Sequence, residues 1–253
     1  ISDTKNLGAS INIPYFWAID KDKDFTFPEL PADVDPKMGY SVGKWVFQQL
    51  LDNKIGWLDL DLKSVNPPDY EDFGFNFKIR IETDRVVQHT KPLPLGDIKG
   101  VTVYNNQWHK LEGADMTETA QWWFDNSACD TLAKINYWRI EPEGYARPHN
   151  FNMVEPTDNV DTIDLISWPV PLMICMEEPG LDCHTVVEDF GIIPSQLGKV
   201  FLINPNKKRC IVNTGIQPST RQFAYVRMGI QFQRFMDLLA RSYHRALMIQ
   251  GKQ

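Results

Sequence analysis

Residues 138–151 read WRIEPEGYARPHNF, and this stretch decides how the rest of the chain is interpreted. Apolar residues predict a strand over residues 135–141, and Pro142 with Gly144 directly after it are typical of a turn. A Pro-His pair that ends in His149 follows the turn. Histidine is the commonest metal ligand among protein side chains, so His149 is a candidate ligand at the end of a strand.

The second half of the chain has the pattern of a β domain with helices at its two ends. Short apolar segments separated by proline and glycine predict further strands at 163–167, 170–177, 184–189, 199–204, 209–213 and 221–230. A helix is expected over residues 117–132 and another over 229–250, where apolar residues recur every three or four positions. We therefore expect a mainly β fold with flanking helices and a jelly-roll core.

The chain of 253 residues divides into three expected regions. Residues 1–95 are predicted to be an N-terminal extension that packs on the core, residues 96–230 the jelly-roll core, and residues 231–253 a C-terminal helix. Within the extension, apolar spacing predicts a helix over residues 40–53. Strict alternation of apolar and polar residues predicts a half-buried strand over residues 73–82.

Several of these segments resemble the aspartyl/asparaginyl β-hydroxylase branch of the iron and 2-oxoglutarate oxygenases. The Pro-His pair matches the first ligand segment of that family, and GKVFLIN at 198–204, RCIVN at 209–213 and RQFAYV at 221–226 match its closing strands. Those strands carry a glycine, an aromatic strand, His-x-Val-x-Asn and an arginine that opens the last strand. The resemblance spans roughly residues 131–228 and implies a cupin-like double-stranded β-helix.

The resemblance also implies roles for individual residues. His149 matches the first iron ligand, while Arg221 and Asn213 match the positions expected to bind the cosubstrate, the arginine by a bidentate pair with its carboxylate. Arg209 occupies the slot of the second histidine, and a guanidinium that stays protonated offers no lone pair to a cation. One imidazole remains where an iron centre needs at least two fixed protein ligands.

Two residues are alternatives for the missing second ligand. A shifted register brings in His184, whose other interpretation is a hairpin side chain. Cys210, next to Arg209, offers a thiolate, although a cysteine in such a strand is more typical of a small buried hydrophobic residue.

The composition of the chain limits which classes of partner and which cellular compartment are expected. The net charge of −7 argues against nucleic acid as the main ligand. Four cysteines without a Cys-x-x-Cys pattern are expected to be reduced thiols in a cytosol. The sequence has neither a long apolar run nor a secretion leader, so no membrane association is expected. The expected location is the cytoplasm, or a virus particle assembled there.

Two functions from different classes follow. In the first, the chain is a catalytically degenerate oxygenase-like jelly roll without a cofactor, which contacts protein partners or further copies of itself. Jelly rolls build virus particles, and the sequence resembles in its general character proteins of large tailed phages, so a phage particle component is one expectation. In the second, the chain is an active hydroxylase that uses Fe(II) and 2-oxoglutarate, with His149 and either His184 or Cys210 as ligands. Whether the chain is an enzyme stays open at this point.

Overall fold

A computed structural model describes residues 25–62, 98–106, 122, 125–128, 131–149, 170–175, 183–194, 196–227 and 232–251. The strands expected at 73–82 and 163–167, and most of the helix expected at 117–132, lie outside the described residues. The helices and strands are α1 (Gly39–Leu51), β1 (Trp57–Asp59), β2 (Ile98–Asn106), β3 (Thr131–His149), β4 (Val170–Cys175), β5 (Cys183–Val187), β6 (Gly191–Ile192), β7 (Val200–Ile203), β8 (Arg209–Asn213), β9 (Ser219–Arg227) and α2 (Phe232–Ile249).

The long strand β3 belongs to two sheets. Its residues 131–140 pair with β9 and its residues 145–149 pair with β8. The hydrogen-bonded order is β1-β7-β4-β9-β3-β8-β5-β6, with β2 also beside β3. The larger sheet therefore contains β1, β7, β4, β9 and the first part of β3, and the smaller sheet contains the second part of β3, β8, β5 and β6. Strand β2 pairs with β3 on both sides of the bend.

Successive strands of the core alternate between these two sheets. The first part of β3, then β4, β7 and β9, lie in the larger sheet, while the second part of β3, the β5–β6 hairpin and β8 lie in the smaller one. A chain that winds back and forth between two antiparallel sheets in this way forms a double-stranded β-helix, the jelly roll of cupins. The predicted fold class is confirmed.

The turn predicted at Pro142 and Gly144 is wrong, because β3 continues through both residues as one strand. Neither β8 nor β9 pairs with residues 141–144, so this stretch is the place where β3 leaves one partner for the other. Proline has no N–H to donate, and at an unpaired bend no ladder hydrogen bond is lost. The same residues that form turns therefore also suit a strand corner.

The helix predicted over residues 117–132 ends earlier than expected. Asp125 and Asn126 are helical, whereas Thr131 and Leu132 already belong to β3 and pair with β9. The tertiary pairing takes these two residues into the sheet, although the local apolar pattern is compatible with a helix.

Side chains that alternate along the strands build an interior core and an outer layer. In β4 and β7, Met173 and Phe201 face the space between the sheets, and Leu172 and Leu202 face the opposite way. The barrel interior consists of buried apolar residues from both sheets: Trp138, Ile140, Ala146, Met173, Cys183, Val187, Phe190, Ile193, Phe201, Ile203 and Ile211.

Helices α1 and α2 cover the outer face of the larger sheet. Their contact is close at Gly43, where an added Cβ would overlap the backbone carbonyl of Met236. Ion pairs tie α2 to β1: Arg245 lies 2.8 Å from Asp59 and 2.9 Å from Asp61. The described part of the N-terminal region thus lies against the core, through both α1 and the edge strand β1. The division of the chain into three regions stays a prediction.

Two further features concern the described residues as a group. None of the helices described is both long and apolar enough to cross a membrane. Cys175, Cys183 and Cys210 are buried and take part in no disulfide.

The close helix crossing predicts a cost for any side chain at Gly43. Gly43→Ala should lower the free energy of unfolding by about 1–3 kcal/mol, because the methyl group forces α1 away from Met236. The matched control is Gly39→Ala in the first turn of the same helix, where the nearest atom to an added Cβ is Asp237 Oδ1 at 3.0 Å, on a side chain that can move. That variant should be unchanged, or gain up to about 1 kcal/mol from helix propensity. Urea denaturation compares the two, and equal losses would contradict the described crossing.

Tyr243 makes the free energy of unfolding depend on pH in the alkaline range. Burial, assisted by the charge of Glu29, raises the pKa of its hydroxyl from 10.0 to about 12. The unfolded chain therefore loses this proton first, so the stability that neutral Tyr243 contributes is complete below pH 10 and is lost between about pH 10 and 12.

The hydroxyl also donates a 2.7 Å hydrogen bond to the Pro28 carbonyl, so Tyr243→Phe should cost about 1 kcal/mol at neutral pH. The stability difference between wild type and Tyr243→Phe should narrow as the pH rises above 10. Urea denaturation of both proteins at a series of pH values measures this difference, and a constant difference would refute the assignment.

Candidate functional site

The end of the barrel that contains His149 is formed by four strand ends. Strand β3 ends at His149, β5 ends at Val187, β7 ends at Ile203, and β8 begins at Arg209. In the backbone register, Arg209 pairs with His149 on one side and with Val187 on the other. This end of the barrel, termed the His149 end below, is the candidate site that the sequence predicts.

Arg209 is buried inside the barrel. Its exposed fraction is 1%, and it heads the group of largest fully buried side chains. Residues 209, 211 and 213 of a strand share one face, and Ile211 belongs to the barrel interior. Arg209 therefore faces the interior at the position that the resemblance assigns to the second iron ligand.

His184 and Cys210 face the other side of the smaller sheet. Cys210 packs with Tyr145, Val186 and Val212 in a separate apolar cluster, and His184 pairs with Val212 in the register. Directly opposed residues of an antiparallel pair have their side chains on the same face. The strands thus do not bring either alternative ligand to the face that Arg209 occupies. The interpretation of Cys210 as a small buried hydrophobic residue is confirmed.

Arg221 lies far from the His149 end along the barrel. Its backbone pairs with Trp138 of β3 and Cys175 of β4, two positions after β9 begins. The turn between β8 and β9 is at the end opposite to Arg209, so Arg221 belongs to that opposite end. The side chains of His149 and Arg221 are not among those that the structure describes, and their roles stay predictions.

Asn213 acts as a clamp at the bend of β3. Its Nδ2 donates to the Ile140 carbonyl at 3.0 Å and to the Gln217 carbonyl at 2.7 Å, and its Oδ1 accepts from Gly215 N–H at 3.0 Å. These contacts use both amide hydrogens and one of the two oxygen lone pairs. A cosubstrate can bind the Asn213 amide N–H groups only if these bonds break.

Asn204 makes the same kind of clamp at the end of β7. Its Nδ2 donates to the carbonyls of Leu50 and Ile55 at 2.8 and 2.9 Å, and its Oδ1 accepts from Asn206 N–H at 2.9 Å. This buried amide connects the end of α1 to the strand that leads towards Arg209. The sequence interpretation did not include Asn204, although its position two residues before a turn residue is typical of such asparagines.

Aromatic rings close the His149 end. Phe25 stands edge-on to Phe190 with ring centroids 4.9 Å apart, and Trp57 lies 6.0 Å from both Phe25 and Phe201. Phe190 follows β5 in a tight turn, and a Cβ at Gly56 would overlap its ring. Residues from the N-terminal region, the β5–β6 hairpin and β7 thus meet over one end of the barrel. The sequence interpretation missed this group because its members are far apart in the chain.

The described residues do not fit a ferrous ion at this end. Guanidinium is a cation without a lone pair, so Arg209 repels a metal ion instead of binding it. The two residues considered as substitutes lie on the outer face of the smaller sheet. In the part of the chain that the structure describes, no three His, Cys, Asp or Glu side chains are grouped as metal ligands.

Comparisons with known proteins assign this chain to no family. No protein-family model matches the chain, and no curated protein gives a significant match. The chain is similar to a 2OG-Fe(II) oxygenase family oxidoreductase from Burkholderia pseudomallei at 10% identity and a TM-score of 0.30, over 39% of this chain and 44% of that one. It thus spans less than half of that oxidoreductase.

Two other solved structures are similar at the same level. A Cupin 2 conserved barrel domain protein from Salinispora arenicola shares 9% identity at a TM-score of 0.30, over 53% of this chain and 82% of that one. A Pseudomonas putida prolyl-4-hydroxylase shares 12% identity at a TM-score of 0.34, over 53% of this chain and 76% of that one. The strand order, and not these distant likenesses, identifies the fold of this chain.

The clamp role of Asn213 makes a prediction about stability. Asn213→Ala removes three hydrogen bonds at the bend of β3, each worth about 1 kcal/mol, and should lower the free energy of unfolding by roughly 2–4 kcal/mol. The control is Asn206→Ala, since Asn206 Nδ2 is buried without a hydrogen-bond acceptor among the described residues. That variant should lose less than about 1 kcal/mol. Urea denaturation measures both, and similar small losses would show that Asn213 is not a clamp.

Proposed function

We propose that this chain is a catalytically degenerate relative of the iron and 2-oxoglutarate oxygenases, and that its barrel serves as a scaffold for protein contacts. The observation that carries the proposal is the buried guanidinium of Arg209, opposite His149 in the register. Function depends on sites that are grafted onto folds, so a barrel can persist after its metal site has changed.

Electrostatics supports the loss of the metal site. A charge buried among apolar residues interacts through a low dielectric, so a guanidinium and a divalent cation a few ångströms apart repel each other far more strongly than in water. Val187 and Ile211, the interior neighbours of Arg209 in register and along the strand, are apolar. The described strands bring no second imidazole to the position that Arg209 occupies.

The packing of the barrel supports the scaffold role. Trp138, Met173, Phe190 and Phe201 extend large side chains into the space between the sheets. Small barrels whose interior is filled by side chains are packed cores, and those that bind ligands enclose a cavity instead. The ring contacts of Phe25 at the His149 end add a further layer over this core.

The partners of such a scaffold follow from the chemistry of its surface. With a net charge of −7, the chain does not suit nucleic acid as its main ligand. Protein partners or further copies of the same chain are the proposed contacts, in the cytoplasm or in a virus particle assembled there. A component of a phage particle is one form of this proposal, and it rests on the general character of the sequence alone.

The alternative is an active hydroxylase that depends on Fe(II) and 2-oxoglutarate. His149 is the last residue of the strand that crosses into the smaller sheet, and this observation favours the alternative. Arg221 lies near the start of β9, at the end of the barrel opposite to His149, so the alternative needs another group to bind the cosubstrate. It also needs a second ligand from this chain. His184 and Cys210, the two candidates, lie on the face of the smaller sheet opposite to Arg209.

Metal binding decides between the two functions. We expect wild-type protein, purified without metal, to show no Mn(II) or Fe(II) binding at micromolar concentration in anaerobic calorimetry, with or without 2-oxoglutarate. Arg209→His replaces the repelling cation with an imidazole opposite His149 and should create measurable Mn(II) affinity. The gain should disappear in the double variant Arg209→His/His149→Ala.

Two controls make the result specific. Arg209→Gln removes the charge without adding a strong ligand, so it separates relief of repulsion from new coordination. His184→Ala should leave the affinity of Arg209→His unchanged, because His184 lies on the other face of the smaller sheet. Micromolar binding by the wild type, strengthened by 2-oxoglutarate, would overturn the degenerate assignment and favour the hydroxylase.

A further inference from the structure

We propose that residues 25–28 form a strap that closes the His149 end of the barrel, and that the strap opens while the barrel stays folded. Gln250, in the turn after α2, is the latch that holds it. The inference goes beyond the scaffold function proposed above, because it concerns access to the barrel end and holds whether or not a metal binds there.

The strap crosses from the helical layer to the barrel end. Phe27 is buried with the outer layer of α1 and α2, where its ring lies 6.4 Å from that of Tyr243. Phe25 contacts both the outer layer and the barrel interior, and its ring meets Phe190 and Trp57. The strap therefore passes over the start of edge strand β1 and places Phe25 on the His149 end.

Side chains of α2 and its terminal turn hold the strap in place. Gln250 Nε2 donates to the Phe25 carbonyl at 3.0 Å, and Phe27 N–H donates to Gln250 Oε1 at 3.3 Å. Tyr243 adds its 2.7 Å bond to the Pro28 carbonyl. Residues 25–30 themselves form neither helix nor strand. One exposed glutamine thus supplies two of the bonds that fix the closed position.

The rim under the strap is connected much more firmly. Lys207 Nζ lies 2.7 Å from Asp189 Oδ2, and Glu188 N–H donates to the Lys208 carbonyl at 2.8 Å, so two neighbouring turns are joined. Asn204 N–H donates to the Gly56 carbonyl at 2.8 Å and fixes the start of β1. Segments with few backbone bonds open at lower free energy than paired strands, so the strap should open first.

A buried donor beneath the strap favours opening. Trp57 Nε1 is shielded from solvent and has no hydrogen-bond acceptor among the residues that the structure describes. A buried donor without an acceptor carries a desolvation penalty. When the strap lifts, water can reach the indole N–H and remove this penalty. The closed position of the strap is therefore favoured over the open one by less free energy than the ring contacts of Phe25 alone would give.

Hydrogen exchange of the Trp57 indole N–H measures the opening directly. The signal is assigned in the NMR spectrum of the full chain by its loss in Trp57→Phe. In the wild type, we expect its protection factor to be at least about tenfold lower than those of backbone amides in β4 and β7, since the strap opens without the sheets. Gln250→Ala removes the latch and should increase indole exchange about three- to tenfold further, with the β4 and β7 amides unchanged.

The matched control is Gln233→Ala. Gln233 is an exposed glutamine at the other end of α2 whose side chain bonds Asp237 in the same helix. It should leave the Trp57 exchange rate at the wild-type value. The proposal is overturned if Trp57 exchanges at the rate of the β4 and β7 amides in every variant, which indicates opening only by global unfolding. It is also overturned if Gln250→Ala and Gln233→Ala have the same effect.

Discussion

The fold depends on one strand that belongs to both sheets. Strand β3 pairs with β9 before Glu141 and with β8 after Gly144, and Asn213 fixes the bend by its 3.0 Å hydrogen bond to the Ile140 carbonyl. The bend lets one strand pair with β9 in the larger sheet and with β8 in the smaller sheet, so the two sheets enclose a common interior. The same bend sends His149 to the end of the barrel where β8 begins. The position of the candidate site is thus a consequence of how the sheets are joined.

At that end, the backbone register places a histidine opposite a buried arginine. His149 and Arg209 are register partners, and Arg209 faces the interior with 1% of its surface exposed. Burying a guanidinium costs free energy that a neutral side chain would not, because a charge is taken out of water. A barrel that needed only packing would be at least as stable with an apolar residue at this position. The contacts of Arg209 in the folded chain therefore have to offset a cost that an apolar side chain would not have.

Short apolar segments bounded by proline and glycine made most strands of the core predictable, whereas contacts between distant segments did not follow from the sequence. Strand β8 has the predicted bounds, 209–213. Strand β4 begins at the predicted residue and ends two residues early, and β5 and β7 differ by one or two residues at each end. The turn predicted at residues 142–144 was wrong because proline and glycine occur both in turns and at strand corners. The face of Cys210 was available from the sequence, since neighbours in a strand point to opposite sides. The meeting of Phe25, Trp57 and Phe190 needed the tertiary structure, because no local pattern connects them.

Through the strap, contacts of the helical layer affect whether the His149 end of the barrel is open or closed. Tyr243 and Arg245 lie on α2, and Gln250 lies in the turn directly after it. Arg245 binds Asp59 and Asp61 next to β1, so α2 and its terminal turn hold both the strap and the edge strand beneath it. A partner that binds the open and closed positions of the strap with different affinities shifts the equilibrium between them. The free energy of this shift cannot exceed the difference between the two binding free energies. A partner that captures the last turn of α2 competes directly for the two Gln250 bonds. The surface of α2 and the His149 end are thus coupled through a short segment of chain, even though the interior between them is a packed core.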